Sequence, residues 1–467
     1  MTKPANRTLR LRLERVAVFL SIGLLMTACQ LSDRILVNIN GENDTELDQD
    51  ELLDDLENLD EPLTIDSFLE DDPPEGLKIG AVMSYTGEFA RTGQPMIEAL
   101  PLLVDQVNAC GGVNGNSVSL VVEDDQSQPQ LVAPALDKLI QVDQVDVAVV
   151  GFVHSSSPEV LDNAVQNQIP VISPGTTSPA FTEWSSQGRF NGFWFRTSPS
   201  STHQAAALAR MAIDRRYRNV SLVVVDSEDG IRFEQAFISH FEKLGGTVLN
   251  QENPNRYDPQ AQFFNAPALN AFYPFGGTPD AVIAAIDPQG GACLLRTAYD
   301  LGATGGTQLI LANSFQPRSL VERVGVTFDG KHVLAGSMGT SPGASGLALD
   351  TFTNLWKQRE GRSNPGVFVP HTWDAVALFV LAAQAAGSND GAAIRDQLRL
   401  VANPPGVEVT NICTGLKLLE SGQDIDFQGA SGSVNLDENG DVVGSYDIWS
   451  VNDQGKVEVI HQLRLER

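Results

Sequence analysis

From residue 77 onward the chain alternates short β-branched apolar runs with segments of helical length, and no other feature limits its fold as strongly. LKIGAVMSY, SVSLVVEDD, VDVAVVGF and IPVISPG read as strands, and segments 93–108, 130–141 and 157–167 between them read as helices. That order predicts a parallel sheet covered on both faces. Pro101 falls inside the first of these helices and is expected to kink or tighten it. A second series follows Arg196: helix 203–214, strand NVSLVVVDS, helix 233–244, strands GTVLN and DAVIAAID, helix 291–301 and strand QLILANS. A third portion holds strand HVLAGSMG and helices 347–359, 372–386 and 392–401. It closes in SGSVNLDENGDVVGSYDIWSVN, a predicted hairpin whose turn is Asn439-Gly440, a pair suited to type I′ geometry. At 467 residues the chain exceeds one hydrophobic core, so two α/β domains are expected.

The first thirty residues read as targeting information. Lys3, Arg7, Arg10, Arg12 and Arg15 precede the apolar run VAVFLSIGLL, which ends in Met26, Thr27, Ala28 and Cys29. A run of ten residues is far short of the roughly 20 that span a bilayer, and a basic start with a small-residue end is the pattern of a secretory signal. Cys29 after small residues resembles a bacterial lipobox, which makes residues 1–28 a lipoprotein signal peptide and Cys29 the lipidated first residue of the mature chain. Residues 42–75 then carry sixteen Asp or Glu and no Lys or Arg. Such self-repulsion predicts that 29–76 is a disordered acidic tether, with a reach of roughly 35–40 Å. The net charge of -28 argues against nucleic-acid binding. The four cysteines, Cys29, Cys110, Cys293 and Cys413, form no CxxC pair, so no metal site is expected.

Two polar runs carry the chemical information. VVGFVHSSSPE (149–159) and VISPGTTSPAFT (171–182) each follow an apolar strand. Ser, Thr and Gly at the carboxyl ends of strands in an open α/β sheet offer N–H groups and hydroxyls to an anion. Taken singly, each cluster is equally well explained as a turn. Other chemistries fit less well. Residues 339–343 match G-x-S-x-G, but Pro342 has no N–H to donate to an oxyanion. Neither phosphate-loop nor dinucleotide glycine pattern follows the first strand, and Gly111, Gly112 and Gly115 close a helix instead. Asp437, Asn439 and Asp441 are spaced as in a calcium loop, yet Val442 and Ile448 replace its Gly and Glu. His154 beside three serines lacks an orienting third group and reads as a loop histidine. No enzyme and no cofactor are expected.

Over 77–460 the chain resembles the periplasmic leucine/isoleucine/valine-binding proteins, the solute receptors of branched-chain amino-acid ABC transporters. The elements that carry the resemblance occur in the family's order: LKIGAVMSYTGEFARTGQ, VNACGGVNG, LVVEDDQSQP, VDVAVVGFVHSSS, IPVISPGTTSPAFT, FEKLGGTV, LLRTAYDLG, HTWDAVAL and FQGASGSVNLDENGDVVG. The resemblance implies a type I periplasmic binding protein fold, two doubly wound Rossmann-like domains that close over a ligand by hinge motion. It implies a first domain of 77–198 plus 339–442 and a second of 199–338 plus 443–467. Ser155 and Thr177 match positions that hold the ligand α-carboxylate, and Thr176, or Gly175 beside it, matches one offering a carbonyl to the ammonium. Thr92 matches a position flanking the ligand side chain. The facing wall departs from the pattern: Asp229 and Asp287 stand where members often carry Tyr, and Asn313 where an acidic residue pairs with the ammonium. Either Asp229 or Asp287 could supply that charge from another wall, or the ligand lacks an ammonium group.

Two positions paired by a disulfide in some members are Ser127 and His154 here. Under the implied domain assignment Cys110–Cys413 is the pairing that stays within one domain, and Cys293 is expected to be a free, buried helix residue. The expected function is a lipid-anchored receptor in the periplasm or at the cell surface. It would capture leucine or a similar small amino acid, or a related carboxylate, in an interdomain cleft and deliver it to an ABC permease. The alternative is a lipoprotein sensor that uses the same fold to contact a partner protein.

Overall fold

The computed structural model describes residues 76–153, 158–312 and 317–464. The signal segment, Cys29 and the acidic tether lie outside the described residues, as do Ser155 and Asn313. The first sheet is all parallel, in the order β2-β1-β3-β4-β5. Its strands are β1 (Lys78–Met83), β2 (Ser119–Asp124), β3 (Val147–Val150), β4 (Val171–Ser173) and β5 (Trp194–Arg196). The connecting helices are α1 (Ala90–Ala109), α2 (Pro129–Gln141), α3 (Asp162–Gln166) and α4 (Ala180–Ser186). Every residue of β3 and β4 is buried, because helices cover both faces of the sheet. Helix α1 runs unbroken through Pro101. The stretch read as helix 157–167 is instead a 3-10 turn, Pro158–Leu161, leading into the short α3.

The second sheet runs β15-β14-β11-β10-β9-β6-β7, with β8 also paired to β6. Its parallel part is built from α5 (Ser201–Asp214), β6 (Asn219–Val225), α6 (Glu228–Lys243), β7 (Thr247–Val248), β8 (Asn255–Tyr257) and α7 (Asn265–Phe272). It continues through β9 (Ala281–Ala285), α8 (Gly290–Asp300), β10 (Gln308–Ala312), α9 (Pro317–Val324) and β11 (Met338–Pro342). The chain then returns to the first sheet with α10 (Leu349–Glu360), α11 (Val369–Ala386), α12 (Gly391–Ala402), β12 (Val407–Val409), α13 (Ile412–Glu420) and β13 (Ile425–Phe427). It finishes on the second sheet as the antiparallel pair β14 (Ser445–Val451) and β15 (Val457–Arg464).

Each sheet is lined on both faces by apolar side chains. Leu100 of α1, Phe352 of α10, Leu381 of α11 and Ile394 of α12 cover one face of the first sheet, and Leu136 of α2 with Phe181 of α4 cover the other. On the second sheet Phe272, Leu294 and Leu320 oppose Leu208 and Phe237 across the strands. Helix α11 is buried from Val369 to Ala383, so it is packed on every side and not along one stripe. The strand order reverses beside β1 in one sheet and between β6 and β9 in the other. Crevices open at the carboxyl ends of strands at such points.

Two sequence expectations are corrected here. The closing hairpin does not turn at Asn439-Gly440: its strands are β14 and β15, and the chain reverses between Val451 and Val457. The earlier turn is committed elsewhere, because the Gly440 carbonyl accepts the Arg196 N–H at 2.9 Å and a Cβ on Gly440 would lie 2.3 Å from the Trp194 carbonyl oxygen. The second concerns cysteines. Cys110 and Cys413 are joined, linking the end of α1 to α13. Cys293, however, is half-buried on α8 and disulfide-bonded instead of free.

Candidate functional site

The first wall is made by the carboxyl ends of β1, β3 and β4. After β1, residues 85–89 are tied to the turn that follows β2. Asp124 accepts the N–H groups of Tyr85 and Thr86 and the Thr86 hydroxyl, and the Ser127 hydroxyl donates to the Thr86 carbonyl at 2.7 Å. Gly87, at φ 85°, is required there, since a Cβ would meet the Gln126 carbonyl at 2.4 Å. Thr92 lies buried in the first turn of α1, its N–H donating to the Phe89 carbonyl. Beside it the rings of Phe89, Phe152 and Phe368 follow one another at 5.8 Å spacing and form an apolar flank.

The loop after β4 rests directly on the loop after β3. A Cβ on Gly175 would come within 2.3 Å of the Phe152 ring. The Val153 N–H donates to Thr176 Oγ1 at 2.8 Å, and Ser173 Oγ sits 2.7 Å from the same hydroxyl while accepting the Thr176 N–H. The Thr176 carbonyl accepts from Arg196 Nη1 at 3.3 Å and Ser198 Oγ at 3.1 Å. All polar atoms of Thr176 therefore have protein partners. Thr177 differs: its carbonyl accepts the Ser201 N–H, but its N–H and hydroxyl have no partner among the described residues, and it is half-buried. Such groups at strand ends are suited to an anion.

The facing wall belongs to the second sheet. Asp229 stands in the first turn of α6, which Ser227 caps by accepting the Gly230 N–H. Asp229 Oδ1 accepts the Ser178 hydroxyl at 2.7 Å, and Arg232 lies 3.9 Å away. The carboxylate thus bridges from the second lobe to the loop that carries Thr177. Asp287 forms a separate group at the start of α8. Its Oδ1 accepts the N–H groups of Gln289 and Gly290, and its Oδ2 accepts the Tyr257 hydroxyl at 2.7 Å. Burial, and then the negative charge of Asp287, push the Tyr257 phenol upward, so it stays a protonated donor.

Of the residues singled out from the sequence, Thr176 and Thr177 share the loop that Ser178 ties to Asp229, Thr92 lies buried at the start of α1, and Asp287 stands with Tyr257 at the start of α8. Sequence reasoning missed Ser178, Tyr257, Arg196 and Asp441. Arg196 is wholly buried, its Nε and Nη2 donating to the two oxygens of Asp441 at 2.7 and 2.9 Å. An arginine ending the aromatic strand FWFR was the available signal, because a charge there must find a buried partner.

Residues 96–454 match the family described as "Receptor family ligand binding region". The chain is 25% identical over 383 residues to the chemotactic signal transduction system substrate-binding protein BasB of Halobacterium salinarum, covering 80% of this chain and 86% of that one. Among solved structures it resembles the leucine binding protein LivK of Thermotoga maritima, with TM-score 0.64, 23% identity, and 83% and 99% of the two chains covered. It also resembles the branched-chain amino acid transporter substrate binding protein LivJ of Streptococcus pneumoniae, solved with isoleucine, with TM-score 0.63, 17% identity, and 84% and 100% covered. At these identities the structural likeness fixes the fold, a type I periplasmic binding protein. No helix among the described residues is long and apolar enough to cross a membrane.

Proposed function

The chain belongs to the receptor family ligand binding region, and from that premise we propose that it is a solute receptor for a small amino acid or related carboxylate. The observation that carries this reading is Thr177, whose N–H and hydroxyl have no partner among the described residues and stand at the strand ends of the first sheet, beside the loop contact from Ser178 to Asp229. Ser155 would join Thr177 on the carboxylate. The apolar flank of Phe89, Phe152 and Thr92 would take the side chain. Closure would exclude water and strengthen those hydrogen bonds, with no covalent step. Asp229 and Asp287 already accept protein donors, so either would share its charge with a ligand ammonium; Asn313 supplies none.

Calorimetry with L-leucine, L-isoleucine, L-valine and 4-methyl-2-oxopentanoate tests this. An amino acid that binds more tightly than its 2-oxo analogue assigns the ammonium to Asp229 or Asp287, and the reverse order selects a ligand without one. Binding of none of the four would sink the carboxylate reading, as would Ser155→Ala leaving the affinity of a bound probe untouched.

The receptor would be lipid-anchored at Cys29 in the periplasm or at the cell surface and would deliver its ligand to an ABC permease. Loss of labelled-palmitate incorporation in Cys29→Ala checks the anchor. A sensing role is favoured by the likeness to a chemotactic substrate-binding protein. Deletion that abolishes uptake of the ligand supports transport, whereas deletion that spares uptake and abolishes a behavioural response supports sensing.

A further inference from the structure

The Arg196 guanidinium has all five N–H donors engaged. Nε and one Nη2 hydrogen go to Asp441, the other Nη2 hydrogen to Thr182 Oγ1 at 2.7 Å, and Nη1 to the carbonyls of Thr176 and Ser178 at 3.3 and 2.8 Å. Asp441 cancels its charge at zero exposure, so Arg196 is not itself a counter-ion for a ligand. What it holds are the carbonyls on either side of Thr177. The Thr176 carbonyl and the Thr177 N–H are the two ends of one planar peptide unit. Arg196 and Ser198 both donate to the carbonyl end, while the N–H end points away and has no partner among the described residues. Donation to a carbonyl polarises the opposite N–H and makes it a stronger donor.

Resting on the reading of Thr177 as a carboxylate donor, we propose that Arg196 is the positioning residue of this site: it orients and polarises the 176–177 peptide for an anionic ligand group, and Asp441 and Thr182 hold the guanidinium in place. Lysine cannot replace it, since three donors on a flexible stem cannot serve five directions at once.

The test pairs the tightest-binding of L-leucine, L-isoleucine, L-valine and 4-methyl-2-oxopentanoate with its carboxamide, in wild type, Arg196→Lys and Ser198→Ala. Polarised-donor positioning predicts that Arg196→Lys weakens the carboxylate by about tenfold or more while the neutral carboxamide changes much less, so that the preference for carboxylate shrinks. Ser198→Ala removes one donor to the same carbonyl and is expected to shift the preference in the same direction by a smaller factor; it carries the test if Arg196→Lys does not fold. A purely structural role would weaken both probes equally. Wild type that binds a probe while neither variant alters the carboxylate preference overturns this inference alone. Wild type that binds none of the four overturns the carboxylate reading and the inference with it.

Discussion

Two ionisable residues one turn apart on α11 are fully buried, and burial moves them in opposite senses. It drives the His371 imidazole down from 6.5 to about 3, with Nδ1 lacking a partner among the described residues, and the Asp374 carboxyl up from 3.8 to about 7. Hydrogen bonds from the Ser431 hydroxyl and the N–H groups of Ala430 and Ser431 pull Asp374 back only in part. For His371 the folded value is depressed, so its stabilisation is present above about 6.5 and lost as pH falls toward 3. For Asp374 the folded value is raised, so its stabilisation is present below about 3.8 and lost as pH rises through 7. Between roughly pH 4 and 6.5 the two slopes, each about 1.4 kcal/mol per pH unit, oppose each other. His371→Gln should therefore expose a stability that falls with rising pH in that window, and Asp374→Asn one that rises. Urea unfolding at pH 4.5 and 6.5 distinguishes them; wild-type slopes in both variants would refute the pairing. Neither effect is legible in HTWDAVAL, because a histidine and an aspartate on a helix are exposed by default and only the packing around α11 desolvates them.

At the scale of elements, the segment after β13 is held by single residues. Gly440 has φ 81° and no room for a Cβ, whereas Gly422 has φ 75° with open space around it. Gly440→Ala is expected to destabilise by more than about 1 kcal/mol and by clearly more than Gly422→Ala, because it adds a backbone clash to the same conformational penalty. Denaturant midpoints of the two variants check this. The turn also carries Asp441, so Gly440→Ala should weaken ligand binding where Gly422→Ala does not. The Cys110–Cys413 link closes a separation of 303 residues. In the chain-entropy account its loss costs up to about 5 kcal/mol, so Cys413→Ser should lower the melting temperature sharply.

At the scale of the molecule, the two lobes meet through side chains at several points. Arg232 pairs with Glu183 at 3.1 Å next to the Asp229–Ser178 contact, and Arg91 pairs with Glu322 at 3.2 Å near Arg323 and Glu88 at 4.0 Å. Exposed pairs contribute about 0.2–1 kcal/mol each and weaken with salt. Glu183→Gln combined with Glu322→Gln is expected to speed ligand release up to about tenfold, and to do so less at 1 M salt than at low salt. Stopped-flow release rates measure this, and an unchanged rate would show that closure owes nothing to these contacts.

The resemblance to a family implied the type I binding-protein fold, and the sequence by itself determined the alternation of strand and helix and the polar runs at the ends of β3 and β4. Those features are written in windows of ten to twenty residues, where side-chain period and turn chemistry act locally. Strand-end position pointed to Thr177, and the order of elements in the resemblance pointed to Asp229, which the structure joins to Ser178. The tertiary structure alone decided that the closing hairpin turns beyond Val451, that Asp287 is bound to Tyr257 and the start of α8, and that Arg196 reaches Asp441 across 245 residues. The reason is physical: a buried charge or carbonyl must find a partner wherever the fold brings one, and no local pattern records which distant residue that is.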